Sequence, residues 1–533
     1  MKKFLSVILA VIMLFTMAVP SFAASAAEKT VNIYVMGYGS ALYDETGKQV
    51  FPVELGLVDK LKEVLDELLL NLASGMLFGD YDKYCDQLYE LMGPGYDDVR
   101  LDKNGECTDE NGNHYFGLGR DPLSLSNHKN GLFDGGYYRF EYDWRLSPEY
   151  NAELLEKFID IVISKSKATK VNLIGRCLGG TIVSCYLQNA SEESLKKVNK
   201  VSLYIPSTAG LEFLSALFSG NIVLNPDTID NYLKYSLRYN NTLGNAIGDE
   251  LFEALVTIIE FANEAYILGI GTDIIEDIVE AIKHNALARI VRDSYGSFPS
   301  FWSMVSADYI DEAVNLIYGT KELKTEYAGM IDKIYSYRDN VQVNAEKRML
   351  ELKEKGIDFM VVSKYNFVNF PISADADKHS DGVVSTTATT FGATTSNFGE
   401  TLSKKYIDSI SDENKKYLSP DNMIDASTAL FPETTWFIKN LPHGTFPSCG
   451  EKLISKFLTT ENMTIDTFEE YPQYLKYNES NNTLSPVTGL DADDIIPTGN
   501  EKRIPAFLRF FTFMFNLIKK ILSGELQLGG LLG

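Results

Sequence analysis

Residues 171–185 read VNLIGRCLGGTIVSC, an apolar run that meets a cluster of glycines with a cysteine at its centre. Val171 to Ile174 has the composition of a buried strand, and Thr181 to Cys185 continues as a helix would. Gly175-Arg176-Cys177-Leu178-Gly179 therefore falls at a sharp strand-to-helix turn. A residue at the tip of such a turn holds a strained backbone, and small neighbours let the helix pack back on the sheet; Gly180 extends that close approach. The turn puts the Cys177 thiol at a helix N-terminus beside Arg176, and both features favour the thiolate, the reactive form of cysteine. The alternative is a buried structural cysteine ahead of a glycine-rich helix start. Cys185, two helical turns on, reads as core.

Outward from this turn the chain alternates strands and helices. Val31 to Val35 reads as a buried strand ending in Gly37-Tyr38-Gly39, and a helix is expected from about Leu57 to Leu72. YYRFEYDWRLSP (137–148) is a strand running into a polar and aromatic knot, followed by a helix from Glu153 to Lys165. Further strands are read at Val201 to Ile205, Ile357 to Ser363 and Thr434 to Ile438. This alternation argues for an α/β fold with a mostly parallel sheet. From about Gly210 to Ala345 the pattern is helical, and such an insertion into a sheet core is expected to cap the site. Between 99 and 136, the Asn104-Gly105 and Asn111-Gly112 steps read as hairpin turns. The Asp102-Lys103-Asn104 spacing hints at a calcium loop, but Cys107 stands where that loop needs glycine, so the stretch is read as a turn.

The bulk composition bounds the class. The chain has 533 residues, 45% hydrophobic and 12% aromatic, which suffices for a large core. A formal net charge of −24 repels phosphate backbones, so nucleic acid is not expected as a partner. The N-terminus carries Lys2 and Lys3, an apolar stretch from Phe4 to Val19, and small residues suited to cleavage after Ala23 or Ala26. That is a secretory signal, which places the mature protein outside the cytoplasm; a membrane anchor is the alternative, for which the run is short and wrongly flanked. The five cysteines (Cys85, Cys107, Cys177, Cys185, Cys449) are an odd number, so at least one thiol is free or pairs between molecules. No CxxC or His/Cys cluster suggests a metal, and no cofactor is expected.

A nucleophile needs a base, and the base an orienting carboxylate. In a strand–turn–helix elbow the chain order is nucleophile, acid, histidine. The five histidines are His114, His128, His284, His379 and His443. His443, in the LPHG loop after the last strand, is the expected base, and His114, His128 and His284 read as surface or packing residues. His379 is the rival imidazole, but it shares a loop with the acids Asp375, Asp377 and Asp381 and would break the order. The oxyanion donors are expected to be the backbone N–H of Leu178 and one from the loop after the first strand, at Tyr38.

These pieces together resemble the lecithin:cholesterol acyltransferase family, which includes lysosomal phospholipases and phospholipid:diacylglycerol acyltransferases. VMGYGSAL (35–42) is similar to the family's first strand and Pro-Gly turn; YDWRL (142–146) matches in full. The elbow follows, then SDGVV (380–384) against Gly-Asp-Gly-Thr-Val, then LPHG. The resemblance implies an α/β-hydrolase fold with a helical cap, acting on acyl esters of lipids, with Asp381 as the acid. Two departures stand out. Cys177 replaces the family's serine, as in dienelactone hydrolases and polyhydroxyalkanoate synthases, and residues around 395 to 425 lengthen the gap between Asp381 and His443.

The tail RIPAFLRFFTFMFNLIKKIL (503–522) places Arg509, Thr512, Asn516, Lys519 and Lys520 on one narrow face of a helix, with Phe, Leu, Met and Ile elsewhere. That suits a helix lying in a membrane interface, or one docked on protein. The expected organisation is a signal (1–26), a hydrolase core in two parts (28–209 and 346–450), a cap (210–345), a polar extension (451–502) and the amphipathic helix (503–533). The expected function is a secreted acyl-ester hydrolase or acyltransferase using Cys177, His443 and Asp381 through a thioester. The alternative is an inactive relative retained as a lipid- or surface-binding protein.

Overall fold

The computed structural model describes most residues between Lys29 and Asp494, leaving out 52–63, 93–98, 108–120, 233–279 and some shorter stretches, together with 1–28 and 495–533. The expected signal, the amphipathic tail, Asn111-Gly112 and most of the expected helix from Leu57 to Leu72 therefore lie outside the described residues.

The strands of the main sheet are β1 (Thr30–Val35), β2 (Asn127–His128), β3 (Tyr137–Phe140), β4 (Lys170–Arg176), β5 (Val198–Tyr204), β6 (Asp358–Tyr365), β7 (Thr435–Lys439), β8 (Tyr474–Asn478) and β9 (Thr483–Pro486). They form one sheet in the order β9-β8-β7-β6-β5-β4-β1-β3-β2. The seven strands from β8 to β3 run parallel, and antiparallel β9 and β2 close the two edges.

Alternation along the strands divides the apolar residues between two cores. Ile33, Leu173, Leu203 and Val361 face one way; Tyr34, Ile174, Tyr204 and Val362 face the other. The first face is covered by α1 (Pro148–Ser166) and α2 (Leu178–Asn189). Helix α1 starts where the Ser147 hydroxyl accepts from the Tyr150 N–H at 3.2 Å, with Pro148 in the first turn, and buries Leu155, Phe158, Ile159 and Val162 on one face. The helices α3 (Glu212–Ser219), α4 (Ile310–Tyr318), α5 (Ala328–Asn340) and α6 (Ala345–Glu354) lie between β5 and β6 in the chain and feed the same core through Phe218, Ile317, Ile334 and Leu352. The opposite face is covered by α7 (Ser448–Thr459), through Leu453, Ile454, Phe457 and Leu458. A mostly parallel sheet between helical layers, with a strand–turn–helix elbow at its centre, is the α/β-hydrolase arrangement.

Two expectations change. The stretch expected as a polar extension continues the core: α7 packs on the sheet, β8 adds a parallel strand beside β7, and β9 closes the edge. Its Asn- and Thr-rich composition reflects an edge position, where only Tyr474 and Leu475 of β8 are buried. Asn104-Gly105 forms a self-closed turn, with Asp102 Oδ1 accepting from the backbone of Asn104 (2.8 Å) and Glu106 (2.9 Å). The paired strands of a hairpin are absent there among the described residues.

Candidate active site

Cys177 closes β4 and begins α2 with φ 49° and ψ −120°, a conformation sparsely populated for a side chain that is not glycine. The surroundings over-determine it. The Cys177 N–H donates to the Tyr204 carbonyl at 3.1 Å, and its own carbonyl accepts from Gly180 (2.8 Å) and Ser207 (3.3 Å). The glycines are required by contact. A Cβ on Gly179 would stand 2.3 Å from the Val35 carbonyl oxygen, at the end of the neighbouring strand β1. One on Gly37 would stand 3.3 Å from Cys177 Cβ, so the loop after β1 lies directly against Cys177.

His443 and Asp381 reach the same point from the segments that follow β7 and β6 in the chain. His443 Nδ1 lies 2.7 Å from Asp381 Oδ2, and the His443 backbone N–H donates to the Asp381 carbonyl at 2.9 Å. With Nδ1 engaged by Asp381, the ring's other nitrogen is the one left to act on the Cys177 thiol, whose protonation His443 influences. Asp381 is buried, and its Oδ1 accepts from the Val383 (3.0 Å) and Val384 (2.8 Å) N–H groups. Burial alone would push this carboxyl up; the charge and hydrogen bond of His443, with Lys364 and the Val384 N–H, hold it below the usual carboxylate range. Burial opposes the imidazolium, but Asp381 and Cys177 raise His443 to about 9. For the thiol, burial is again the largest influence and acts upward; His443 and the Leu178 N–H overcome it and leave Cys177 below an ordinary thiol. The shifts of the thiol and the imidazole run in the direction that favours a thiolate–imidazolium pair beside a carboxylate.

The structure brings Cys177, His443 and Asp381 together, with the Leu178 N–H acting on the thiol and Tyr38 one residue beyond Gly37, where an added Cβ would stand 3.3 Å from Cys177 Cβ. The Tyr38 side chain is 41% exposed, with its ring 4.6 Å from Trp144 and 5.5 Å from Phe301. Arg176 differs from its expected part: its guanidinium donates to the carbonyls of His443 (3.3 Å) and Gly444 (3.0 Å), gripping the histidine loop, while the groups that lower the thiol are His443 and the Leu178 N–H. His379 is buried away from the triad, its Nε2 3.2 Å from Ser396 Oγ, and burial drives it down to about 4. His128 stacks on Tyr137 and His284 is exposed beside Glu280; His114 lies outside the described residues. None of the five cysteines is in a disulfide.

The YDWRL segment has a part in the site that sequence reasoning missed. The Tyr142 hydroxyl donates to the Met36 carbonyl at 2.8 Å, and Trp144 Nε1 donates to the Ser40 carbonyl at 3.0 Å. These bonds pin both ends of the loop that carries Gly37 and Tyr38. The segment is in turn fixed by a buried fork in which Arg145 meets both oxygens of Asp143 at 3.0 and 2.6 Å.

The family model of lecithin:cholesterol acyltransferase matches residues 130–224, which hold β3, the YDWRL segment, the elbow and α2. The match supports a likeness to acyltransferases and lipases of that kind. Among curated proteins the chain has no match. Among solved structures, one described as "The crystal structure of Tle4-Tli4 complex" is similar over 63% of this chain and 75% of that chain, at 10% identity and a TM-score of 0.22, too loose a superposition to carry an argument.

Proposed function

We propose that this chain is a lipid acyl-ester hydrolase or acyltransferase that works through Cys177, His443 and Asp381 and a covalent thioester. The observation that carries the proposal is the convergence of Cys177, His443 and a buried carboxylate, with His443 Nδ1 2.7 Å from Asp381 Oδ2 and the thiol and imidazole near enough to shift each other's protonation. An inactive relative would have no use for a strained Cys177, at about 1–3 kcal/mol of backbone cost, or for a buried carboxylate aimed at an imidazole.

The thiolate attacks the ester carbonyl carbon, and the carbonyl oxygen becomes an oxyanion that the N–H groups of Leu178 and Tyr38 stabilise. As the tetrahedral intermediate collapses, the carbon–oxygen bond to the alcohol breaks and the His443 imidazolium gives its proton to the departing oxygen, leaving a neutral thioester and a neutral imidazole. Water or an acceptor alcohol then gives its proton to His443 and attacks the thioester carbon. The thiolate leaves, and the ion pair is restored. Asp381 holds the imidazole in one tautomer and orientation throughout.

The lipid substrate class is supported by the match of residues 130–224 to lecithin:cholesterol acyltransferase and by the aromatic wall of Tyr38, Phe51, Trp144 and Phe301 beside the nucleophile loop. The helices between Gly210 and Ala345 would cap the site, and residues 503–522 would bring the secreted enzyme to a membrane surface. The test is turnover of p-nitrophenyl acyl esters and thioesters. Cys177→Ala abolishes it and Cys177→Ser retains a small fraction; an unaffected Cys177→Ala variant would refute the proposal.

A further inference from the structure

The loop that carries His443 offers four successive backbone carbonyls, those of Pro442, His443, Gly444 and Thr445, to side chains from three neighbouring strands. From β6, Lys364 Nζ donates to Pro442 (2.8 Å), His443 (3.2 Å) and Thr445 (2.8 Å). From the end of β4, Arg176 Nη2 donates to His443 and Gly444. From β5, between them, the Tyr204 hydroxyl lies 3.5 Å from the Thr445 carbonyl. Lys364 is buried among the strands, its ammonium 5.0 Å from the centre of the Tyr204 ring.

A lysine buried in an apolar strand without a carboxylate partner in contact needs a reason. Three carbonyls around one nitrogen use three N–H donors, which only the ammonium has; a neutral amine would turn a lone pair on one of them. The charged groups that act on Lys364 are Asp381 and the Cys177 thiolate, which favour the ammonium, and Arg176, which opposes it. Burial is the largest influence and brings Lys364 down to about 7. The carbonyl cradle and the two anions act against that downward push and favour the ammonium.

We infer that Lys364, with Arg176, is a positioning residue of the active site: the two cations fix the His443 loop so that the imidazole meets the thiol and Asp381 at once. The inference rests on the proposed Cys177–His443–Asp381 reading. His443 has its own bonds to Asp381, but these constrain the loop at one residue only. The carbonyls on either side, at Pro442, Gly444 and Thr445, are held by Lys364 and Arg176. A displacement of about 1 Å at a catalytic group can cost on the order of a hundredfold in rate.

The test compares wild type with Lys364→Met, which keeps an unbranched apolar side chain and removes all three donors, and with Arg176→Gln, which loses one cation at a part-exposed position. Each folded variant is assayed for ester turnover and for the pH dependence of Cys177 alkylation by iodoacetamide. For Lys364→Met, kcat falls at least about tenfold with KM within about twofold, and the midpoint of alkylation moves to higher pH. Arg176→Gln moves both in the same direction, and it decides the matter should Lys364→Met not fold. A folded variant of either kind with the wild-type kcat and alkylation midpoint would overturn the inference. If the wild-type thiol itself labels no faster than in the urea-unfolded chain, the Cys177 reading fails first and takes this inference with it.

Discussion

Replacing Asp381 by asparagine tests the coupling at the centre of the site without removing its scaffold. Asparagine keeps an oxygen for the Val383 and Val384 N–H groups, which bond Oδ1 at 3.0 and 2.8 Å, so the loop retains its local order. What changes is the 2.7 Å contact to His443: the amide presents a donor where the carboxylate accepted, and the ring must place its lone pair on Nδ1. The tautomer that serves as base toward Cys177 is then lost, along with the negative charge that raises His443 to about 9. A buried hydrogen bond to a charged group contributes about 1.5–3 kcal/mol. At about 1.4 kcal/mol per factor of ten, that alone is roughly a 10- to 100-fold loss of the thiolate–imidazolium pair, and the wrong tautomer adds to it. Iodoacetamide labelling of Cys177 across pH, read by mass spectrometry, measures the population directly. The labelling rate at pH 7 should fall by about that factor, with its midpoint displaced upward, and ester turnover should fall further. A variant that is folded and labels with the wild-type pH profile would show that Asp381 does not govern the thiol.

Other outcomes follow from the same geometry. Tyr142→Phe leaves the Met36 carbonyl without its donor, so the melting temperature should drop by the equivalent of about 1–3 kcal/mol and kcat should fall with KM little changed. Thermal denaturation of wild type and Asp381→Asn should converge in acid. The Asp381 carboxyl is held below its ordinary value of 3.8, so its stabilising contribution is complete above that value and disappears as pH falls through the folded-state value; a constant gap between pH 6 and 2 would contradict this. Deleting residues 503–533 should abolish co-sedimentation with lipid vesicles while sparing turnover of a short soluble ester, and unchanged vesicle binding would refute the membrane role of the tail.

The elbow was legible because its constraint is local: an apolar strand, three glycines and a central cysteine describe a turn that needs no partner to be recognised. Chain order pointed to His443 and left Asp375, Asp377 and Asp381 open as acids, and the family resemblance then singled out Asp381; both loops leave the sheet at the same end. Long-range contacts were harder to read. Arg176 looked like a neighbour of the thiol, and only the fold turns its guanidinium to the carbonyls of His443 and Gly444. Lys364 did leave a signal, a charged residue inside FMVVSKYN, but the carbonyls that satisfy it come from a loop about 80 residues later. The β8–β9 edge was read as an extension because a strand at the rim buries few apolar side chains and carries a weak pattern. The meaning of YDWRL was likewise invisible in the segment itself, since the carbonyls it holds belong to Met36 and Ser40.

Intact mass of the whole chain after brief exposure to a lipid ester or a p-nitrophenyl acyl ester reports on the proposed thioester itself. A mass increase of one acyl group is expected, mapped to Cys177, labile to hydroxylamine at neutral pH as a thioester is, and absent in Cys177→Ala. Substrate turnover with no acyl group ever found on Cys177, or an adduct carried by another residue, would contradict it.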